Sequence, residues 1–261
     1  MNLSISNIAW SEENDNAVYD LMKKYDFMGL EIAPTRIFPE NPYDRCGEAK
    51  EWAENLKSDF GFSVPSIQSI WYGRNEKLFG SEEDRQALVD YTKKAIDFAE
   101  IIGCKNLVFG CPRNRNLPDG ADKSIAISFF KEIGDYAAEH NTVIGMEANP
   151  PIYNTNYIND TKSAVELIKK VQSDGFKLNL DVGTMIENGE IVDILHGNEH
   201  LINHVHISEP GLKPIEKREL HAELATLLRD CCYSNFVSIE IGRQDDINNI
   251  LKIMDYVREV F

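Results

Sequence analysis

Four residues of types that can bind metal ions lie in the second half of the chain, each within or directly after a short apolar run. Glu147 follows VIGM, Asp181 follows KLNL, His206 lies in HVHIS and Glu240 follows VSI. A charged side chain in an apolar strand is costly unless it is paired or binds a metal. Three carboxylates and one imidazole suit Mn²⁺, Mg²⁺, Co²⁺ or Zn²⁺. Each residue alone is more often a helix cap or an ion pair, but together the four predict one divalent metal site.

These runs belong to a pattern that occurs eight times, in which a short β-branched run is followed by a polar corner and a longer amphipathic stretch. The pattern predicts strands at 3–10, 29–34, 63–71, 106–112, 143–150, 177–183, 202–208 and 236–242. It predicts helices near 12–26, 45–60, 82–102, 122–140, 160–173, 187–196, 216–232 and 245–260. Strict alternation implies parallel strands, in either a closed barrel or an open doubly wound sheet. We favour the barrel because no GxGxxG or GxxxxGK[ST] motif follows the first strand.

The length of 261 residues matches one such barrel, and no linker or low-complexity tract divides the chain. We therefore expect an α/β protein with one domain over residues 1–261, a single (β/α)₈ TIM barrel. Functional side chains in this fold lie at the C-terminal ends of the strands, which is where the four candidate ligands lie. Residues two positions earlier share their face and predict a supporting tier below the metal. This tier consists of Gly145, Asn179, His204 and Ser238.

Further residues at predicted strand ends or in the loops after them are candidates for substrate binding. They are Trp10, Gln68, Arg113, Thr184 and Glu209. The amide of Gln68 can bind hydroxyl groups without competing for the metal. Trp10 fits either a pocket wall or the core, and Arg113 fits either an anion-binding position or an ordinary loop. For Glu31, a buried pair with a neighbouring strand and a contact with substrate both remain open.

Composition argues against several classes of partner. The net charge is −16 and no cluster of Lys or Arg offsets it, so we expect neither nucleic acid nor an anionic membrane surface as a partner. The N-terminal segment is unlike a signal peptide, and no apolar stretch is long enough to span a bilayer. Five cysteines without a CxxC spacing indicate reduced thiols. These features together predict a cytoplasmic protein.

The segments GMEANPP, LNLDVGT, HVHISEP and VSIEIG contain the four candidate ligands. Their order and spacing resemble the xylose isomerase-like barrel superfamily, which includes D-tagatose 3-epimerase-like and hydroxypyruvate isomerase-like enzymes, and the resemblance covers essentially the whole chain. It implies that Glu147, Asp181, His206 and Glu240 bind one metal ion and that Glu147 and Glu240 also form the acid/base pair. One departure is Thr184, which stands where the family usually has a histidine. A second is Lys213, because some epimerases have an arginine in this loop.

The resemblance implies a metal-dependent isomerase or epimerase that acts on a small sugar, sugar phosphate or sugar acid through a cis-enediolate. A dehydratase or lyase of the same superfamily is the nearest alternative, since it begins with the same proton abstraction. An enzyme resembling endonuclease IV would need more than the six histidines present and a basic surface. A non-catalytic accessory barrel is the third alternative, for which Thr184 is the best support. The resemblance also favours a homodimer or homotetramer.

Overall fold

Seven parallel strands form one sheet in the order β2-β1-β7-β6-β5-β4-β3. The structure is a computed structural model that describes residues 1–261. The strands are β1 (Asn2–Ser6), β2 (Phe27–Glu31), β3 (Leu107–Phe109), β4 (Ile144–Met146), β5 (Phe176–Asp181), β6 (Ile202–Ile207) and β7 (Phe236–Ile239). The helices are α1 (Asp15–Lys24), α2 (Pro34–Ile37), α3 (Cys46–Phe60), α4 (Glu82–Ile101), α5 (Ser124–Glu139), α6 (Thr161–Val171), α7 (Val182–Asn188), α8 (Glu219–Asp230) and α9 (Ile247–Val260). The predicted α/β class and parallel pairing are confirmed.

The prediction of eight regular strands is wrong at 63–71, where the chain makes only isolated parallel bridges. Ile67 bridges Ile32, just beyond β2, on one side and Leu107 of β3 on the other. Two successive hydrogen bonds from the β2 side, donated by Leu30 and Ile32, reach the carbonyl groups of Ser63 and Ser66. The two donors are two residues apart, whereas the two acceptors are three residues apart, so the pairing loses its regular register. Pro65, between the acceptors, has no N–H to donate. The segment 63–67 therefore lies between the two edge strands without forming a continuous ladder.

A second correction concerns the helix predicted near 187–196. The structure has α7 starting directly after β5, followed by a separate 3₁₀ turn at Val192–Leu195. The side chain of Asp181 accepts hydrogen bonds from the N–H groups of Gly183 and Thr184, so Asp181 is the N-cap residue of α7. Gly189 adopts a left-handed conformation with φ of 65°, which ends the helix. The helix therefore begins earlier in the sequence than predicted and lies at the rim of the sheet.

The two faces of the strands differ in polarity. Ile5, Leu180 and Val205 belong to a continuous apolar core and are almost completely buried. Residues that alternate with them, such as Ser6, Asn179 and His204, are also buried but polar. The interior face of the sheet is therefore lined by groups that form hydrogen bonds, and these groups lie below the candidate ligands. None of the helices has the length and apolar composition needed to cross a membrane, and all five cysteines are free thiols.

Candidate metal centre

The four candidate ligands lie together at the C-terminal edge of the sheet. Asp181 ends β5 and His206 lies in β6, while Glu147 and Glu240 directly follow β4 and β7. These four strands are neighbours in the sheet, so their ends meet at the same edge. One ligand atom of each side chain lies within 4.8 Å of one from every other. His206 Nδ1 is 2.9 Å from Glu147 Oε1 and 3.2 Å from Glu240 Oε2.

Glu31 determines which nitrogen of His206 faces this cluster. Glu31 Oε2 lies 2.8 Å from His206 Nε2 and 3.1 Å from His204 Nε2. Burial by itself would raise the pKa of Glu31, but the two imidazoles outweigh that effect and hold its pKa well below the ordinary value. An ionised carboxylate only accepts, so this network assigns the Nε2–H tautomer and leaves Nδ1 directed at Glu147 and Glu240. Glu31 is therefore in a buried pair, as one of the two readings of the sequence had it, but its partners lie on β6, three positions away in the sheet, and not on a neighbouring strand.

Asp181 is held by hydrogen bonds on both of its oxygens. Thr184 lies against Oδ2, with its N–H at 2.9 Å and its hydroxyl at 2.7 Å. Ser208 Oγ donates to Oδ1, and the N–H of Gly183 lies 3.3 Å from the same atom. The N–H of Gly183 lies closer to Ser208 Oγ, at 2.8 Å, so the other three contacts fix the carboxylate and leave one of its four or so lone-pair sites for a cation. Thr184, which replaces the histidine of the resembling enzymes, thus orients Asp181 instead of lining the cavity.

Glu147 is oriented by two amides. Asn179 Nδ2 donates to Oε1 at 2.8 Å and Asn149 Nδ2 to Oε2 at 3.2 Å. The fully buried Arg115 donates to Asn149 Oδ1 at 3.0 Å and to the carbonyl oxygen of Glu147 at 2.9 Å, so the amide of Asn149 is fixed with its nitrogen toward the carboxylate. A Cβ atom at Gly110 would lie 2.8 Å from Glu147 Oε2. Glycine is therefore required there for the carboxylate to keep its position.

The electrostatics of the cluster fit a bound cation. Burial raises the pKa values of Glu147, Asp181 and Glu240, and at Asp181 the nearby charge of Glu147 adds to the effect. Burial disfavours charge on His206 as well, but the carboxylates of Glu31 and Glu240 outweigh it and raise the His206 pKa well above its usual value. In the metal-free protein, His206 thus keeps a proton between crowded carboxylates. A divalent ion would replace that proton and neutralise the three carboxylates, so the donor set fits the metal that the resemblance implies.

A cavity of about 200 Å³ opens at this cluster and is lined by Glu147, Asp181 and Glu240. Its neutral polar side chains are Gln68, Ser69, Asn149, Tyr153 and Ser208. Its apolar side chains are Val108, Cys111, Pro112 and Leu212. The carboxylates therefore lie beside both hydrogen-bonding groups and apolar surface, which is the composition of a site for a small polar molecule.

Two loops meet at the mouth of the cavity. The hydroxyl of Tyr153, in the loop after β4, accepts a hydrogen bond of 2.9 Å from the N–H of Gly211, in the loop after β6. Glu209 lines the cavity, but both of its oxygens are already bonded, because Arg218 donates to them at 2.7 and 2.6 Å. The N–H of Glu216 adds a third bond to Glu209 at 3.1 Å. These contacts connect the segment 209–212 to the residues just before α8 and to the loop after β4.

The structure does not bring all the proposed substrate-binding residues to the cavity. Gln68 and Glu209 line it, whereas Thr184 contacts Asp181 below it. Trp10 is buried outside the lining, and its indole donates a 2.7 Å hydrogen bond to a carboxylate at the start of α1. Arg113 is exposed on the loop after β3 and does not line the cavity either.

Four polar residues of the cavity were not predicted from the sequence: Ser69, Asn149, Tyr153 and Ser208. Asn149 lies two positions after Glu147 and Ser208 two positions after His206, so the alternation that predicted the lower tier also indicates these two when it is continued upward. Tyr153 lies in a 3₁₀ turn of the following loop, where no periodicity applies. Its place at the cavity depends on the loop conformation.

Comparisons with known proteins cover nearly the whole chain. A family model described as xylose isomerase-like TIM barrel matches residues 19–259. No curated protein sequence matches. A D-psicose 3-epimerase from Clostridium cellulolyticum H10, solved with D-tagatose, has a TM-score of 0.80 at 16% identity and covers 100% of this chain and 99% of its own.

Two further solved structures extend the likeness. The IOLI protein with a bound zinc atom has a TM-score of 0.74 at 16% identity, covering 100% of this chain and 99% of its own. A probable 3-DHS dehydratase from Bacillus anthracis has a TM-score of 0.70 at 17% identity, covering 100% and 98%. At these identities the likeness shows a shared fold, and the fold hosts more than one reaction.

Proposed function

The chain belongs to the xylose isomerase-like TIM barrel family, and we propose that it is a metal-dependent isomerase or epimerase of a small carbohydrate. The observation that carries the proposal is the cluster of Glu147, Asp181, His206 and Glu240 around one cavity at the C-terminal edge of the sheet. The segment 63–67, which bridges both edge strands, takes the eighth position of the (β/α)₈ barrel in this proposal.

Glu147, Asp181, Glu240 and His206 Nδ1 would hold the metal ion. When bound, the ion supplies Lewis-acid stabilisation of negative charge on adjacent oxygens of the substrate. The residues around the ligands prepare the site. Glu31 orients His206, and the hydrogen bonds to Asp181 and Glu147 fix both carboxylates before any cation arrives. Such preorganisation lowers the cost of assembling the site when the ion binds.

Glu147 and Glu240 are the proposed acid/base pair. Both line the cavity, so each can contact a substrate bound there. One carboxylate removes the proton next to the substrate carbonyl, and the resulting charge is delocalised as a cis-enediolate. Return of a proton to the opposite face of the same carbon gives epimerisation, and return to the neighbouring carbon gives isomerisation.

A second candidate is a dehydratase or lyase that begins with the same proton abstraction. A structure related in fold is a probable 3-DHS dehydratase, whereas another is a D-psicose 3-epimerase. The two candidates differ in the fate of the enediolate: reprotonation conserves the formula of the substrate, and elimination releases water. Analysis of the products separates them.

The experiment is wash-in of deuterium from D₂O, followed by NMR, for a panel of ketoses, sugar acids and their phosphates with Mn²⁺, Mg²⁺, Co²⁺ or Zn²⁺. We expect exchange at a carbon next to a carbonyl that a chelator abolishes. Glu240→Gln should lose this exchange by at least 100-fold while the fold is retained. Glu216→Gln removes the same charge from an exposed side chain and serves as the matched control. Full exchange in Glu240→Gln with bound metal would refute the proposed base.

A further inference from the structure

We infer that this site takes an uncharged, unphosphorylated polyhydroxy carbonyl compound and discriminates against its phosphorylated form. The inference rests on the proposed function and narrows its substrate class. It follows from the charge of the cavity wall, from the commitment of Arg115 and Arg218 to other partners, and from the neutral groups that remain available to a ligand.

The charge of the cavity wall is negative. Four carboxylates line it, and no Lys or Arg side chain does. Glu209 is neutralised by its ion pair with Arg218, so the remaining charge comes from Glu147, Asp181 and Glu240. One divalent ion leaves a net charge of about −1 on the site when these three are ionised. A phosphate dianion in this space is repelled by the wall, whereas a hydroxyl group is not.

Two nearby arginines, Arg115 and Arg218, are committed elsewhere, and the exposed Arg113 and Lys213 do not line the cavity. Both oxygens of Glu209 accept from Arg218, which makes a two-pronged pair at 2.6 and 2.7 Å. Arg115 is fully buried beneath the site and donates to the carbonyl oxygens of Glu147 and Ile158 and to the side chain of Asn149. Neither guanidinium is available to a phosphate group, which is the ligand that Arg usually binds in pairs of parallel hydrogen bonds.

The N-terminus of α7 offers no replacement for these cations. Helix N-termini bind phosphate through free N–H groups, and α7 begins at the rim of the cavity. Its first N–H groups, on Gly183 and Thr184, are already bonded to Asp181. A phosphate would therefore have to displace a carboxylate that belongs to the metal cluster.

Neutral groups that can bind hydroxyls remain on the cavity wall. The hydroxyl of Tyr153 accepts from Gly211, which leaves its own hydrogen available to a ligand oxygen. Gln68 and Ser69 bond to each other and lie together on the opposite loop, where each retains hydrogen-bonding capacity. The apolar Val108 and Leu212 complete the wall and can cover the C–H face of a sugar.

The test is a binding experiment that does not depend on turnover. Protein loaded with Mn²⁺ is titrated with matched pairs, D-fructose with D-fructose 6-phosphate and D-ribulose with D-ribulose 5-phosphate, and affinity is read from calorimetry and from water proton relaxation. We expect the free ketose of at least one pair to bind at least ten-fold more tightly than its phosphate. Raising the salt concentration should narrow the gap, because screening weakens the repulsion.

Two variants test the source of the discrimination. Glu209→Gln removes one negative charge from the wall and leaves Arg218 with only the exposed and more distant Glu216 as an anionic partner, so affinity for the phosphates should rise by about ten-fold while that for the free ketoses changes little. Glu216→Gln, the control, removes an exposed charge that lies 3.5 Å from Arg218 outside the cavity, and discrimination should be unchanged. Equal effects of the two variants would contradict the role of the Glu209–Arg218 pair.

The outcomes separate this inference from the proposed function. Phosphates that bind as tightly as the free ketoses, or the absence of binding by every neutral sugar, overturn the inference even if deuterium exchange is observed. Preferential binding of neutral sugars supports it even if no exchange occurs, and in that case the proposed reaction fails while the assignment of ligand charge stands.

Discussion

Replacement of Glu31 by Gln tests how the structure prepares His206 to bind metal. In the folded protein Glu31 Oε2 accepts from His206 at 2.8 Å and from His204 at 3.1 Å. Gln is nearly the same size and its amide oxygen can still accept from the two imidazoles, but it carries no charge. Losing a charged partner of a ligating histidine typically lowers metal affinity 10- to 100-fold. This range corresponds to about 1.4–2.8 kcal/mol in binding free energy.

The expected loss depends on pH, because Glu31 acts on His206 in two opposite ways. It orients Nδ1 for the metal, but it also contributes to the raised pKa of His206, so that a proton competes with the metal. Glu31→Gln removes the negative charge that strengthens both effects. At pH 8.5 proton competition is weakest and the loss of orientation should dominate. At pH 6 the relief of competition should offset part of the loss, so the difference between the proteins should shrink as the pH falls.

The assay is a chelator competition that measures Mn²⁺ and Zn²⁺ affinity at pH 6, 7 and 8.5, with circular dichroism to verify the fold. His204→Gln is the matched control, since its amide nitrogen can donate to Glu31 from nearly the position of Nε2 and leaves the His206 contact intact. Its metal affinity should stay within about three-fold of the wild type. A folded Glu31→Gln protein that binds metal within two-fold of the wild type at pH 8.5 would refute the reasoning.

Two predictions concern stability, measured by urea unfolding. Burial lowers the pKa of His221 from 6.5 to about 4, so between these values the unfolded chain binds a proton that the folded chain does not, and stability falls as the pH falls. Between pH 7.5 and 4.5 this lowers the free energy of unfolding by roughly 2–3 kcal/mol. His221→Leu should therefore lose roughly 2–3 kcal/mol less stability over this range than the wild type. An equal loss in both proteins would exclude the lowered pKa of His221 as the cause. Arg115→Met leaves buried carbonyl oxygens without a donor and should destabilise by about 3 kcal/mol or more, whereas the exposed Arg113→Met should change stability by less than about 0.5 kcal/mol. Similar values for the two arginine variants would contradict the role given to Arg115.

The types and spacing of the residues determined the α/β class, the parallel pairing and the candidate ligands. Glu147, Asp181, His206 and Glu240 are each recognisable because a charged or imidazole side chain follows an apolar run, which is a feature of a few neighbouring residues. In a parallel sheet the ends of adjacent strands meet at one edge. Local sequence therefore sufficed to predict which side chains the structure brings within 4.8 Å of one another.

Local sequence failed where a competing local interaction changed the backbone. Pro65 removed a donor from the segment predicted as the third strand, and the hydrogen-bond spacing shifted around it. Asp181 capped a helix immediately after β5, although the amphipathic pattern predicted its start several residues later. Pro65 and Asp181 are both visible in the sequence. Their effect on the backbone, however, depends on the strand or helix that packs beside each of them.

Only the tertiary structure decided how the site is supported and which charges face the cavity. The contact between Glu31 and His206 joins residues 175 positions apart, and the conformation of the loop after β6 brings Arg218 onto Glu209. The cavity excludes Arg113, although its position in the sequence is equivalent to that of other rim residues. Secondary structure follows from interactions between near neighbours, whereas the orientation and charge of a site depend on which distant segments return to it. The packing of the whole fold decides which segments these are.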